Sequence, residues 1–110
     1  MEVTGIVTRK IVYGHDWGFL AIAVRQSDHE KFDPITLGQP YFSCYVNGPY
    51  AEIYKYTISS EEIGDSIVFS TRSGVIYTFR GGKPVAEDSL LVYTGANEFT
   101  EWIKENHKEK

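Results

Sequence analysis

Residues 67–80 read I-V-F-S-T-R-S-G-V-I-Y-T-F-R, two runs of β-branched and aromatic residues split by Ser73-Gly74. Glycine accepts positive φ without steric cost, and two such runs around Ser-Gly form a β-hairpin signal. The expected strands are 67–72 and 75–80, with Ile67 and Phe69 sharing a face with Val75, Tyr77 and Phe79. A chain organised around this hairpin must find further strands to pair with it, because an isolated hairpin is marginal in water.

The rest of the sequence supplies them. Residues 3–13 form a long first strand, and Gly5 with the polar Thr8-Arg9-Lys10 marks a bend or bulge within it. A turn bracketed by Gly14 and Gly18 leads into 19–26, where Leu20, Ile22 and Val24 face one way and Phe19, Ala21, Ala23 and Arg25 the other. Small alanines on the second face indicate burial on both sides. Residues 27–40 are the longest irregular stretch, with room for one helical turn before Gly38. Strands at 41–46 and 52–58 flank Asn47-Gly48-Pro49, a hairpin signal in which Pro49 lengthens the loop beyond two residues. A polar loop over 59–65 follows, and a short strand is expected at 90–93 after the Gly81-Gly82-Lys83-Pro84 turn.

The period then changes. Phe99, Trp102 and Ile103 lie at i, i+3 and i+4, with Glu98, Glu101, Lys104 and Glu105 opposite, which defines an amphipathic helix capped by Asn97. At 110 residues the chain fits one domain. The expectation is a mainly β small antiparallel barrel or sandwich of six to seven strands: a β-rich body over 1–95, then one C-terminal helix over 96–108. An aromatic share of 15% agrees with this, since rings suit pleated, half-buried surfaces.

Composition narrows function by exclusion. The net charge is −4, and −3 of it falls from Glu87 onward, so no basic excess drives phosphate binding. Cys44 is the only cysteine, which rules out an internal disulfide or a cysteine-based zinc site. The opening residues do not resemble a signal peptide, and no apolar run approaches the roughly 20 residues of a membrane span. A cytoplasmic location is expected, and no cofactor.

Candidate chemistry is sparse. Tyr13 to Phe19 hold His15 beside Asp16, but neighbouring side chains in a turn diverge and no nucleophile stands near. A turn is the stronger reading, with Trp17 as an aromatic anchor for a partner. Asp28, His29, Glu30 and Asp33 include metal-ligating types without any metal-loop spacing, and read as a solvated loop. Gly81-Gly82-Lys83 lacks the rest of a P-loop, and its lysine is followed by Pro84 where a hydroxyl is required. Ser59-Ser60-Glu61-Glu62 reads as a short helical cap signal or an exposed acidic loop, without chemistry, His107 as part of the tail, and Cys44 as an inert inward thiol.

The tyrosines carry the main expectation. Tyr41 and Tyr45 share a strand face, as do Tyr54 and Tyr56. If those faces lie outward they form an aromatic platform, with Lys55 and Arg25 at some distance; if inward, they are core. The outward arrangement suits a protein interface or a small ring-containing ligand.

The opening T-G-I-V-T-R-K-I-V-Y followed by G-F-L-A-I-A-V-R resembles the first hairpin of OB-fold domains. The resemblance covers about the first 25 residues and implies a small barrel. It departs later, because the strongest helix comes last and the aromatic RNA-binding motifs are absent, so no binding residue is carried over. Three functions follow in order of expectation. The first is a non-catalytic binding module, such as an interaction, inhibitor or sequestering protein, acting through Trp17, Tyr41, Tyr45, Tyr54 and Tyr56. The second is an OB-like binder of single-stranded nucleic acid or a nucleotide, with Arg9, Lys10, Arg25, Arg72 and Arg80 on phosphates. The third is a small metal-dependent enzyme using His15, Asp16 or the 28–33 loop. Strand edges that must be covered or paired also lead to the expectation of a homo-oligomer.

Overall fold

A computed structural model describes residues 1–12, 15–38, 40–95 and 98–106. The Gly14 end of the first turn, the Asn97 cap and His107 lie outside the described residues. The chain is mainly β, antiparallel throughout, with a C-terminal helix. Strands β1 (Glu2–Val12) and β2 (Gly18–Ser27) form the long central pair. Between them the register slips at Thr4/Gly5 and again at Val7/Arg9, the bulge expected from Gly5 and the polar triplet. At Gly18 the two backbones approach so closely that a Cβ would lie 1.9 Å from the Ile11 carbonyl oxygen, leaving room only for glycine.

The irregular stretch holds β3 (Lys31–Phe32) and a single helical turn, α1 (Pro34–Leu37), capped by the Asp33 carboxylate accepting from Ile35 N–H at 3.0 Å. The expected 41–46 strand breaks at Ser43 into β4 (Tyr41–Phe42) and β5 (Cys44–Asn47). Asn47 pairs with Tyr50 at the start of β6 (Tyr50–Lys55), so the turn is the two residues Gly48-Pro49 and Pro49 does not lengthen it.

The hairpin of β7 (Ser66–Ser70) and β8 (Val75–Arg80) forms as expected, with Gly74 at φ 70°. Its register corrects the face assignment. Four residues, 71–74, make the loop, so Ser70 pairs with Val75, Phe69 with Ile76 and Ile67 with Thr78. Ile67 and Phe69 point inward with Ile76, while Val75, Tyr77 and Phe79 lie on the outer face. A two-residue Gly81-Gly82 turn then leads into β9 (Lys83–Ser89), a strand whose polar, Pro-containing sequence hid it. Proline is tolerated there because β9 is an edge strand. Of the expected 90–93 strand only β10 (Val92–Tyr93) forms, and it pairs with β4.

The main sheet runs β3-β5-β6-β2-β1-β7-β8-β9. Laid flat, β6 and β9 would stand roughly 24 Å apart across five strand spacings. Instead Lys55 on β6 touches Asp88 on β9 at 2.6 Å, so the sheet curls strongly. It does not close into a barrel by backbone pairing. The small β10–β4 sheet and a bond from Ser43 N–H to the Leu91 carbonyl at 2.9 Å tie its two ends together.

Curling creates two cores. Leu20, Ile22, Ile53, Ile67, Phe69 and Ile76 fill the inner face. On the outer face, α2 (Glu98–Asn106) lays Phe99 and Ile103 against Phe19, Tyr45 and Tyr54. Trp102 stacks on Phe19 with centroids 4.5 Å apart. The first half of β2, residues 18–22, is therefore buried on both sides, while Ala23 is half-buried and Arg25 and Gln26 are exposed. Among the described residues, no helix is long and apolar enough to cross a membrane.

Candidate binding surface at the seam of the sheet

Where β6 runs out and β9 curls back, side chains join the two strands. Alternation along β6 sends Tyr54 outward and Lys55 inward, and Tyr56 follows just past the strand. The Lys55 side chain is only 2% exposed, and its ammonium donates to Glu61 Oε1 and to Asp88 Oδ2. Glu61 is fully buried, and its second oxygen accepts from the Ser60 hydroxyl at 3.0 Å. Burial pulls the Lys55 ammonium below the ordinary lysine range, and the hydrogen bond to Asp88 pulls it back only in part. The charge is held here at a cost. The expectation of a surface lysine beside a platform, and of an unremarkable exposed acid at Glu61, is corrected by this pair: each is the reason the other can be buried.

Around the seam stands a group of rings centred on Tyr54. Its centroid lies 5.7 Å from Trp17, 5.9 Å from Tyr56 and 5.9 Å from Tyr93, the last two edge-on. Tyr54 and Tyr45 are buried at 3% and 5% exposure, because α2 packs over their face of the sheet. For these two the inward reading is the one observed, and they cannot present a surface. Tyr41 is half-buried and paired with Tyr93 in the small sheet. Trp17 is half-buried against the outer core. Tyr56 is 57% exposed. Arg25 is exposed near the far end of β2, away from this group.

A cavity of about 130 Å³ opens beside Tyr56, lined by Lys55, Tyr56, Thr57, Asp88, Ser89 and Leu91. Sequence reasoning found Trp17, Tyr54, Tyr56 and Lys55 but missed Asp88, Glu61 and Tyr93. The one available signal was Lys55 itself, a lysine that alternation places on the same face as Ala51 and Ile53, where burial demands a counter-charge.

A second buried carboxylate belongs to the outer face. Glu52 accepts from Tyr50 O–H at 2.5 Å and from Trp102 Nε1–H at 3.1 Å, so it pins α2 to the sheet. Burial, reinforced by Glu52, raises the Tyr50 phenol.

The other singled-out groups have structural duties. Asp16 accepts from Ser59 N–H at 3.0 Å and, through its carbonyl, from Ile58 N–H, stitching the first turn to the 59–65 loop. His15 beside it is exposed. Asp28 accepts from Glu2 N–H and from the His29 ring, each at 2.9 Å, which holds its carboxyl down at about 2, the His29 hydrogen bond contributing most. Asp33 is the cap of α1. Among the described residues no three His, Cys, Asp or Glu side chains gather as metal ligands would. Burial pushes the Cys44 thiol up to about 12.

No family model, no curated protein and no solved structure matches this chain.

Proposed function

We propose that the protein is a non-catalytic binding module that recognises a protein partner through the aromatic seam around Tyr56. One observation carries the reading: a ring 57% exposed, braced edge-on by buried Tyr54, stands at the lip of a cavity. A large amphipathic ring already held in place loses little freedom on binding, and such rings dominate interface energetics. Trp17 and Tyr93 extend the same apolar surface, and Tyr41 stands opposite Tyr93 in the small sheet. Tyr45 and Tyr54 act as its foundation. The OB-like reading, with Arg25 and other arginines on phosphates, gains nothing from this geometry, since Arg25 lies apart from the rings.

The test replaces Tyr56 with the photoreactive residue p-benzoylphenylalanine, and Tyr77 on the outer face of β8 likewise as a control. Irradiation in an extract of the source organism is expected to give a discrete protein adduct from position 56. Excess unmodified protein should suppress it, and the Trp17→Ala variant should compete less well. An adduct pattern at position 56 no different from that at position 77 would overturn the reading.

A further inference from the structure

The seam also carries information about what the partner brings. Lys55 is the one cation lining the cavity, and Glu61 and Asp88 both hold it. Asp16 acts on the same ammonium through space, while Glu87, exposed on the opposite face of β9 from Asp88, lies outside the lining. Negative charge therefore outweighs positive charge around the opening. Lys55 uses only one oxygen of Asp88; Oδ1 has no partner among the described residues, and the side chain is 30% exposed. Thr57 and Ser89 bring exposed hydroxyls to the same walls. An uncommitted carboxylate oxygen, two hydroxyls and a braced tyrosine ring make a surface complementary to a cation that also has an apolar stem.

We propose that the seam cavity takes the head of a basic side chain, arginine or lysine, carried by a protein partner, with the cation between the Asp88 carboxylate and the Tyr56 ring. This rests on the reading of the seam as a protein-binding surface and names what it recognises. The guanidinium or ammonium donates to Asp88 Oδ1, the stem lies along Leu91, and the ring face of Tyr56 covers the charge. Lys55, itself anchored by buried Glu61, holds Asp88 through Oδ2 without filling its outer side. The cation is the same sign as Lys55, so the site works only while both carboxylates are charged.

Titrating the isotopically labelled protein with N-acetyl-argininamide, followed by amide chemical shifts, tests this. Saturable shifts are expected at Tyr56, Thr57 and Ser89, weakened by salt as a charge contact requires. N-acetyl-citrullinamide, the neutral isostere, should give none. Asp88→Asn, which keeps an oxygen for Lys55, should abolish saturation, and Tyr56→Ala should weaken binding about two- to fivefold, the value of an exposed cation–π contact. Glu87→Gln should leave most of the affinity. Equal binding of the citrulline probe, no effect of Asp88→Asn in a spectrum that remains folded, or an equal loss with Glu87→Gln would overturn the inference. So would the absence of any saturable shift up to roughly 100 mM probe, well beyond a millimolar site. If the position-56 adduct forms while the arginine probe fails, the basic occupant is wrong and the binding surface stands.

Discussion

Replacing Lys55 by methionine removes the seam charge while keeping its volume and apolar stem. The consequence follows from Glu61, which is fully buried and would retain only the Ser60 hydroxyl. An uncompensated buried carboxylate costs about 3–5 kcal/mol. Against a total stability of about 5–15 kcal/mol, that is a large fraction. It corresponds to a fall in melting temperature of roughly 12–20 °C for a domain of this size. Removing both partners in Lys55→Met/Glu61→Leu should return stability to within about 1 kcal/mol of the parent or above it, because both desolvation costs vanish. Asp88 tolerates the change, being partly open to water. The parent also has a pH signature. A lysine depressed below its ordinary 10.5 binds fewer protons folded than unfolded, so stability rises with pH between its folded value and 10.5, and the variant lacks that rise. Urea unfolding of parent, both single variants and the double variant closes the cycle. A Lys55→Met loss below about 1 kcal/mol would refute the assignment of a buried, charged Glu61.

Other consequences are simpler to check. Cys44, with its thiol at about 12, should resist a disulfide reagent at pH 8 in the folded protein and react fully in denaturant. Gly18→Ala should cost about 1–3 kcal/mol in urea unfolding, because the clashing atom is the backbone carbonyl of Ile11 and cannot step aside. Asp28 should titrate at about 2 by carboxyl NMR, and His29→Ala should move it towards the ordinary 3.8. Its folded value is depressed, so its contribution to stability is present above 3.8 and is lost as the pH falls towards 2.

What could be read in advance was local. Hairpins announced by Ser73-Gly74 and Asn47-Gly48, the bulge at Gly5 and the amphipathic C-terminal helix are each decided within a dozen residues. Strand β9 escaped because edge strands are not selected for hydrophobic alternation; Lys83 and Pro84 are residues that keep an edge from pairing further. The inner and outer faces of β8 were exchanged because residues directly opposite in a hairpin share a face, and a loop of either two or four residues sets Phe69 with Ile76 and Thr78 rather than with Val75 and Tyr77. The aromatic residues could not be sorted into core and surface because the periodicity of one strand does not say which face receives the helix. That depends on α2 landing over Phe19, Tyr45 and Tyr54, which is a tertiary outcome. Tyr56 remains exposed because it stands one residue beyond β6, outside the helix's reach.

The seam follows from the same geometry. A strongly curled sheet brings its distant strands together; the β10–β4 pair and the Ser43–Leu91 bond tie its ends by backbone, and between β6 and β9 the Lys55–Asp88 contact joins them by side chains. An apolar join would seal completely and offer nothing to a partner. The Lys55–Glu61–Asp88 join is different: the lysine takes both oxygen atoms it needs from the inside and leaves the outer oxygen of Asp88 in water. Burying the Lys55–Glu61 pair stabilises the fold no more than methionine and leucine would. The arrangement is therefore better explained by what it holds at the surface than by what it adds to stability. It places the Asp88 carboxylate and the Tyr56 ring on the walls of one cavity, on the line where side chains join β6 to β9, which is where the proposed basic side chain would dock.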